Sequence, residues 1–439
     1  MTADRFRYDG YEIDSGRDRV LCHYSLASYR FVEEIVFEGG GNWSTPAADA
    51  TARLLFLLAG VSYYKTLAPP VVDLGATALT LREEELLTHF YRDGLGEFAF
   101  RNGLDLSGLQ LHCQRAAGRG PVDYQPVANH PLVPFGGGID SIVTAEEVHA
   151  RFEAARLFVV SVGGTHFDTI EGAARATGLP IVRANRTIDP QLLRAGALGF
   201  RLGHVPITGI LSAIAALAAV LGGHDAVVMS NEWSASLGNL EVDGRTVNHQ
   251  YSKSDEFERL LRDALADALG GGLRYFSLLR PSTELRVAAR FASLPKYHRV
   301  FHSCNRAFAT DPARRLEHWC GICDKCCFID LILAPFLPAA SLAEIFGGRE
   351  PLERPELASR FRALLGTVAT KPFECVGDVG ECRAALALAA AREDRAAFTL
   401  LQALAAETPA PSAVEIERLL APVGGHAIPD AYATDNLLV

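Results

Sequence analysis

The chain has 439 residues, of which 49% are hydrophobic and 21% charged, a balance typical of a folded protein with two or three domains. Its net charge of −10 argues against sequence-independent binding to nucleic acid or to anionic lipid. The N-terminus has no basic stretch followed by an apolar run, so no secretory signal is predicted and we expect a cytoplasmic protein.

The first 40 residues alternate apolar and polar side chains, which predicts short antiparallel strands. Helices are then predicted from Ser44-Thr45-Pro46 to Leu58 and over residues 81–92. The apolar run over 207–223 is built from small residues and is predicted to be a buried helix rather than a membrane span.

From Leu132 onward, short apolar segments alternate with helical patterns. Strands are predicted over 133–135, 157–162, 180–185, 225–231, 274–279 and 297–303, and helices over 142–155, 169–178, 207–222 and 254–268. This alternation predicts an α/β fold with a doubly wound, mostly parallel sheet. We expect an N-terminal α+β domain over 1–125, a nucleotide-binding domain over 126–335 and a helical C-terminal region over 336–439.

A glycine loop, Phe135-Gly136-Gly137-Gly138-Ile139-Asp140-Ser141, follows one predicted strand and precedes a helix. Glycines let backbone N–H groups approach an anion, and a helix N-terminus adds positive potential, so Gly136, Gly137, Gly138 and Ser141 are predicted to bind phosphate. Asp140 is predicted to bridge to a metal ion or to brace the loop. The loop is not a Walker sequence, because no Gly-Lys dipeptide is present.

The loop resembles the SGGxDS signature of PP-loop ATP pyrophosphatases, with Gly136 in place of the serine. This resemblance implies a PP-loop domain of HUP-like type that binds ATP with Mg²⁺, cleaves it between the α and β phosphates, and adenylates an oxygen of its substrate. Ser252 and Lys253, in the segment NHQYSKS, can supply donors and charge to the leaving pyrophosphate. A capped helix start explains the same segment equally well.

Four cysteines, Cys304, Cys320, Cys323 and Cys326, have the spacing of a tetrahedral thiolate site. The spacing favours Zn²⁺, and iron–sulfur ligation stays open. A PP-loop followed by such a site resembles 7-cyano-7-deazaguanine synthase, which is far shorter than this chain.

Over residues 5–385, the chain also resembles the family of ATP-dependent UDP-N-acetylmuramoyl-L-alanyl-L-glutamate epimerases of peptidoglycan synthesis. The segments that carry the resemblance are GVSYYK, the glycine loop, NHQYSKS, SCNRAF, WCGICDKCCFIDLILAPF and KPFECVG. It implies that ATP adenylates the α-carboxylate of the terminal L-Glu, that a base removes the α-proton, that the opposite face is reprotonated, and that the adenylate is hydrolysed.

The resemblance implies a UDP-MurNAc-dipeptide substrate, ATP and Mg²⁺, and the cysteine spacing predicts a structural Zn²⁺. Asp140, Ser141 and Lys253 are expected at the phosphates. The base is sought among Lys371, Glu374 and Cys375, with Cys382 as a further candidate; a packing role explains the two cysteines equally well. We expect no nucleic-acid, membrane or obligate protein partner.

Two other classes of function stay open. One is another PP-loop chemistry, such as nitrile formation, amide ligation or RNA thiolation, the last disfavoured by the net charge of −10. The other is a degenerate protein that only binds nucleotide, a hypothesis kept by Gly136. Release of pyrophosphate and the chirality of the product separate these classes.

Overall fold

The computed structural model describes residues 4–116, 120–164, 166–242, 244–309, 314–368 and 372–433. Within these residues, the strands are β1 (Arg5–Asp14), β2 (Arg19–Leu26), β3 (Tyr29–Glu38), β4 (Val71–Asp73), β5 (Gln110–His112), β6 (Pro131–Pro134), β7 (Arg156–Val162), β8 (Ile181–Thr187), β9 (Ala226–Met229), β10 (Leu240–Val242), β11 (Arg245–Val247) and β12 (Arg274–Ser277).

In the same ranges, the α-helices are α1 (Pro46–Ala59), α2 (Val61–Tyr64), α3 (Leu81–Arg92), α4 (Gly96–Asn102), α5 (Ile139–His149), α6 (Asp168–Thr177), α7 (Pro190–Leu193), α8 (Ala195–Leu198), α9 (Ile207–Leu221), α10 (Asp255–Leu269), α11 (Glu284–Ala292), α12 (Asp324–Leu333), α13 (Ala339–Ile345), α14 (Ala358–Leu364), α15 (Val379–Ala390), α16 (Thr399–Glu407) and α17 (Ala413–Leu420).

One large sheet organises the described part of the chain, with the strand order β12-β9-β6-β7-β8-β3-β2-β1-β4-β5. Neighbouring strands are parallel from β12 to β8 and from β1 to β5. The pairs β8–β3, β3–β2 and β2–β1 are antiparallel. The predicted α/β class with a mostly parallel sheet is therefore confirmed, as are the antiparallel strands at the N-terminus.

The sheet is continuous between the N-terminal strands and the later parallel strands. Strand β3 pairs with β8, with Ile35 opposite Arg186. Next to this junction, the buried Arg186 guanidinium binds the buried Glu33 carboxylate with an Nε–Oε1 distance of 2.7 Å. The sheet thus crosses the predicted boundary at residue 125, and the three-part division of the chain stays a prediction.

Hydrophobic cores cover both faces of the parallel strands. In β9, Val227 and Met229 belong to one core, whereas Ala226 and Val228 belong to the other. Successive side chains of a strand point to opposite faces, so a strand covered on both sides must be apolar throughout. The first core contains α1, α9 and α10, and the second contains α5, α11 and α12.

Two predicted elements need correction around the glycine loop. Helix α5 begins at Ile139 rather than at residue 142 and ends at His149, because Gly138 is extended (φ −83°, ψ 173°) and lets the helix start directly after it. The strand predicted over 297–303 is wrong. Residues 301–304 are irregular, and the His302 N–H donates to the Gly137 carbonyl at 3.0 Å. This segment therefore covers the glycine loop instead of extending the sheet.

The C-terminal helices pack on the α12 side of the sheet, as part of the second core. A fully buried ion pair between Arg395 and Glu350, at 3.0 Å, joins two of their segments. In the described ranges, none of the helices combines the length and the apolar character that crossing a lipid bilayer requires.

Candidate active site

The glycine loop connects β6 to α5 at the carboxyl edge of the parallel strands. Gly137 has a φ of +76°, and a Cβ there would lie 3.2 Å from the Ile170 Cα, so a side chain is excluded both by conformation and by space. Ser141, in the first turn of α5, donates from Oγ to the Gly138 carbonyl at 3.1 Å. The loop thus presents the start of α5 and a hydroxyl group, as a phosphate site requires.

Three carboxylates meet beside this loop. Asp140 follows β6, Glu232 follows β9 and Glu284 follows β12, and these are three adjacent parallel strands. One oxygen atom from each carboxylate lies within 4.8 Å of the others. Carboxyl ends of neighbouring parallel strands form the ligand-binding edge of an open α/β sheet. We call Asp140, Glu232 and Glu284 the carboxylate cluster.

Several oxygen atoms of the carboxylate cluster are buried without hydrogen-bond partners in the described residues. Both carboxylate oxygens of Glu232, Oδ1 of Asp140 and Oε2 of Glu284 are buried, and none has a hydrogen-bond donor in the described residues. Burial and then the charge of Glu232 raise the pKa of Asp140 to about 6, and burial and the charge of Asp140 raise the pKa of Glu284 well above its usual range. Unpaired buried carboxylate oxygens fit a hard divalent cation such as Mg²⁺.

Two lysines face the carboxylate cluster. Lys253 interacts with Glu232, Asp140 and the thiol of Cys375, and their negative charges raise its pKa although burial opposes this. The charges of Lys325 and Lys253 both lower the pKa of Asp140, against the effect of burial. The site therefore combines positive and negative groups that a metal–nucleotide complex would bridge.

Arg280 holds the two sides of the site together. Its buried guanidinium donates to the carbonyl oxygens of Glu232 at 2.9 Å and of Lys253 at 2.8 Å, and to the Glu258 carboxylate at 2.8 Å. The backbone that carries Lys253 is thereby fixed relative to the backbone that carries Glu232. Ser252 is buried on the same short 3-10 turn, Tyr251–Lys253.

Residues 372–376 form a strap across this region. Lys325 Nζ donates to the Cys375 carbonyl at 2.5 Å, and Asn239 Nδ2 donates to the Pro372 carbonyl at 3.1 Å. The Cys375 thiol lies beside the His249 imidazole, and each group shifts the pKa of the other. Glu374 is half-buried beside Asn305, and burial raises its pKa. Lys371 lies outside the described residues, so its predicted role stays a prediction.

Cys304, Cys320, Cys323 and Cys326 converge next to the strap. Their Sγ–Sγ distances are 4.0 Å for Cys304–Cys323, 3.6 Å for Cys320–Cys326 and 3.4 Å for Cys323–Cys326. A single zinc ion with Zn–S bonds of about 2.3 Å separates its tetrahedral sulfur ligands by about 3.8 Å. The cysteines therefore fit one tetrahedral ion, whereas a multi-iron cluster spreads its thiolates over several metals.

Comparison with known proteins identifies the family. The model of the MurL N-terminal domain matches residues 1–278, and the model of the MurL C-terminal domain matches residues 300–418. The chain belongs to the MurL family. A relative from Xanthomonas oryzae pv. oryzae is 39% identical over 97% of this chain and 95% of its own length. A relative from Micromonospora sp. is 39% identical over 98% of this chain and 97% of its own length. Both are named UDP-N-acetyl-alpha-D-muramoyl-L-alanyl-L-glutamate epimerase.

Within this MurL-family chain, the structure brings together most of the predicted site residues. The glycine loop with Asp140 and Ser141, the turn with Ser252 and Lys253, and the strap with Cys375 all border the carboxylate cluster or its lysines. Cys382, in contrast, is fully buried on α15 as part of the second core, which agrees with its packing interpretation.

No specific role was assigned from the sequence to five residues that lie at the candidate site: Glu97, His249, Glu232, Glu284 and Lys325. A signal existed for Glu232, because it follows the β9 segment at the edge where ligands bind. For Glu284, the signal appears only after β12 is known to lie beside β9. His249 is part of NHQYSKS, but its partners are far away in the chain.

Proposed function

We propose that this chain is an ATP-dependent, AMP-forming epimerase that converts the terminal L-Glu of UDP-MurNAc-L-Ala-L-Glu into D-Glu, in the cytoplasm, for peptidoglycan synthesis. The observation that carries the proposal is the position of Lys253, which interacts both with the carboxylates beside the glycine loop and with the Cys375 thiol. A phosphate site and an ionisable thiol thus share one lysine. The names of the relatives supply the substrate.

The need for ATP follows from charge. Removing the α-proton of a glutamate whose carboxylate is free would place a second negative charge beside the first. Conversion of the carboxylate to an acyl adenylate removes the first charge and lets the carbanion delocalise as an enolate. Hydrolysis of the adenylate then returns the free acid of the opposite configuration, with AMP and pyrophosphate as the other products.

The residues of the glycine loop would bind the nucleotide in a PP-loop manner. Backbone N–H groups of Gly136, Gly137 and Gly138 and the Ser141 hydroxyl would contact the phosphates. Lys253 would stabilise the charge that develops on pyrophosphate as it leaves, with Ser252 beside it.

The carboxylate cluster would hold Mg²⁺ through Asp140, Glu232 and Glu284, since its unpaired oxygens are the ligands that this ion prefers. When bound, Mg²⁺ neutralises the triphosphate and helps pyrophosphate to leave. Lys325, which faces the same carboxylates, would contribute further positive charge to the leaving group.

We also propose that the four cysteines hold a structural Zn²⁺. All four ligand positions are taken by protein thiols, which is typical of structural rather than catalytic zinc. The site would fix the start of α12, because Cys323 is the N-cap of this helix and Cys326 lies in its first turn. Lys325, which lies between these two cysteines, would be fixed with them.

The experiment is incubation of the purified protein with UDP-MurNAc-L-Ala-L-Glu, ATP and Mg²⁺, followed by assays of AMP, pyrophosphate and the chirality of glutamate after acid hydrolysis. The proposal expects D-Glu together with AMP. A parallel reaction with α,β-methylene-ATP, which cannot be cleaved between the α and β phosphates, should yield no D-Glu.

Other outcomes identify the competing functions. Formation of AMP without D-Glu would retain an adenylating enzyme, such as an amide ligase or a relative of 7-cyano-7-deazaguanine synthase, and reject the epimerase. Binding of ATP without any cleavage would leave a nucleotide-binding protein. Folding of the sample is checked first by its cooperative thermal transition.

A further inference from the structure

A buried carboxylate, an imidazole and a thiol form a chain of contacts next to the carboxylate cluster. Glu97 is buried on α4, and its Oε2 makes a short hydrogen bond with Nδ1 of His249. The Cys375 thiol lies beside His249, since each of the two groups shifts the pKa of the other, and the neighbouring residues are joined by the bond from Gln250 Nε2 to the Val376 carbonyl. Three segments that are distant in the sequence thus converge on one arrangement, which we call the thiol–imidazole–carboxylate triad.

The surroundings keep the geometry of the triad fixed. Oε1 of Glu97 accepts a hydrogen bond from Arg101 Nε at 2.5 Å, so both carboxylate oxygens are engaged. The ring of His204 lies against the ring of His249, with 4.3 Å between centroids. The strap that carries Cys375 is tied down by Lys325, and Gln250 Nε2 donates to the Val376 carbonyl at 3.5 Å.

The charges around the triad favour a thiolate and an imidazolium. Burial opposes ionisation of Cys375, but the charges of Lys253, His249 and Lys325 lower its pKa to about 7. Burial also opposes protonation of His249, but Cys375 and Glu97 raise its pKa to about 9. The neighbouring His204 has a pKa lowered to about 4, by burial and then by the charges of His249, Lys65 and Arg101.

Other buried cysteines behave differently. Cys22 and Cys327 lie in the two hydrophobic cores, and burial raises the pKa of both thiols far above their usual range. Both thiols lie in a hydrophobic core, and a thiol that is buried in such surroundings is unreactive. Cys375 is half-buried and has a cation on each of two elements beside it. The surroundings of Cys375 therefore favour a reactive thiolate, whereas those of Cys22 and Cys327 do not.

On the basis of the proposed function, we propose that Cys375 is the base that removes the α-proton of the adenylated glutamate, and that His249 and Glu97 are positioning residues that orient its thiolate. The Cys375 sulfur takes the proton, and the C–H electron pair moves into the enolate of the acyl adenylate. Solvent water gives a proton to the opposite face of Cα, and the hydroxide formed takes the proton of the Cys375 thiol. Thiolate and water are thereby restored.

Lys253 connects this step to the nucleotide. Its ammonium group interacts with Cys375 and with the carboxylate cluster, so the adenylated carbonyl and the thiolate are brought to the same region. The Cys375 thiolate is needed for exchange of the α-proton but not for attack of the carboxylate on ATP. The two half-reactions can therefore be separated by substitution.

The test compares Cys375→Ser with wild type and with the control Cys113→Ser in D₂O, measuring AMP, D-Glu and deuterium at Cα. Cys113 is a partly exposed cysteine that packs against the first core. The expected result for Cys375→Ser is AMP formation close to wild type, with D-Glu and deuterium incorporation lower by about 10²–10⁴-fold, the contribution of a placed base. Cys113→Ser should retain wild-type AMP formation, D-Glu formation and deuterium incorporation.

Two results would overturn the assignment. One is deuterated D-Glu formed by Cys375→Ser at the wild-type rate. The other is loss of AMP together with D-Glu in a variant that is folded at the assay temperature, because this would assign Cys375 to adenylation. Failure of wild type to form AMP and D-Glu rejects the proposed function itself, so the two failures are distinguishable.

The positioning role of His249 and Glu97 is tested by the pH dependence of D-Glu formation. In wild type, the rate of D-Glu formation should rise with pH through about 7, as the Cys375 thiol ionises. In His249→Asn and Glu97→Gln, this rise should move to higher pH, with part of the rate recovered there, while AMP formation keeps its wild-type profile. An unshifted rise in both variants would contradict a role through the thiolate.

Discussion

Lys325 and Cys375 are joined by a hydrogen bond of 2.5 Å from Lys325 Nζ to the Cys375 carbonyl oxygen. Lys325 lies between Cys323 and Cys326, two of the four cysteines that fit a metal ion, and it also faces the carboxylate cluster. The strap with the proposed base therefore depends on the cysteine site for its position. We therefore expect changes at the cysteine site to alter proton transfer through this link.

Loss of this link should impair epimerisation. Lys325→Met removes a charged donor, and a hydrogen bond to a charged group contributes about 1.5–3 kcal/mol, so D-Glu formation should fall by about 10- to 100-fold. Removal of the metal ion of the cysteine site with a chelator should also lower the rate of D-Glu formation. The measurement is the rate of D-Glu formation alongside the zinc content of the chain. Wild-type activity in a metal-free, folded protein would contradict this account of the cysteine site.

The carboxylate cluster should be needed for activity. In Asp140→Asn or Glu232→Gln, substrate-dependent exchange between pyrophosphate and ATP should fall by about 10²-fold or more, the effect of removing a group that stabilises developing charge. Both variants should remain folded at the assay temperature, because the oxygen atoms that are changed accept no hydrogen bond in the described residues, although Lys253 loses part of its counter-charge. Glu147→Gln is the matched control, since Glu147 lies on the same helix α5 and pairs with Arg290 at 2.8 Å. An equal loss of exchange in Glu147→Gln would refute a specific role for the cluster.

The opposite pKa shifts of His249 and Cys375 predict a pH window for stability. The folded-state pKa of His249 is raised to about 9, so its stabilisation is complete below its unfolded value and is lost as pH rises through about 9. The folded-state pKa of Cys375 is lowered to about 7, so its stabilisation is lost as pH falls through about 7. Both groups are charged between these values.

The difference in melting temperature between wild type and Cys375→Ser should therefore be largest between about pH 7 and pH 9. Differential scanning calorimetry over pH 5 to 10 measures it. A difference that is constant over this range would show that the thiol and the imidazole are not charged together.

Substitution of a buried charge at the junction between β3 and β8 should strongly reduce the free energy of unfolding. Glu33 is fully buried, and its carboxylate is the partner of the buried Arg186 guanidinium at 2.7 Å and 3.1 Å. Glu33→Gln leaves that cation without its counter-charge, which costs about 3–5 kcal/mol of the free energy of unfolding. The exposed pair Arg299–Glu344 is the control, and Glu344→Gln should change stability by about 0–1 kcal/mol. Denaturant titration compares the two; equal effects would reject the special position of the junction.

The parts of the site that are continuous in the sequence were predictable. The glycine loop is one heptapeptide between a strand and a helix, and three of the four cysteines lie within seven residues, so their chemistry is visible without a fold. The chain has five lysines, and two of them, Lys253 and Lys325, face the carboxylate cluster.

The remaining parts depend on strand order and on contacts across the chain. Glu232 and Glu284 become neighbours only because β9 lies between β6 and β12. Glu97 and His249 are 152 residues apart, and nothing local to either residue predicts their contact. The error over residues 297–303 has a related cause. A segment that contains Tyr297, Val300 and Phe301 was expected to join the sheet, but the His302 N–H bonds to the glycine loop.

Transfer of an oxygen atom tests the central claim, ATP-driven adenylation of the glutamate carboxylate, most directly. UDP-MurNAc-L-Ala-L-Glu with ¹⁸O in the terminal α-carboxylate is converted with unlabelled ATP, and the AMP is analysed by mass spectrometry. The account predicts one ¹⁸O atom in AMP for each D-Glu, because the bridging oxygen of the acyl adenylate comes from the substrate and leaves with AMP when water attacks the acyl carbon. D-Glu formed with unlabelled AMP, or with no AMP at all, would contradict it.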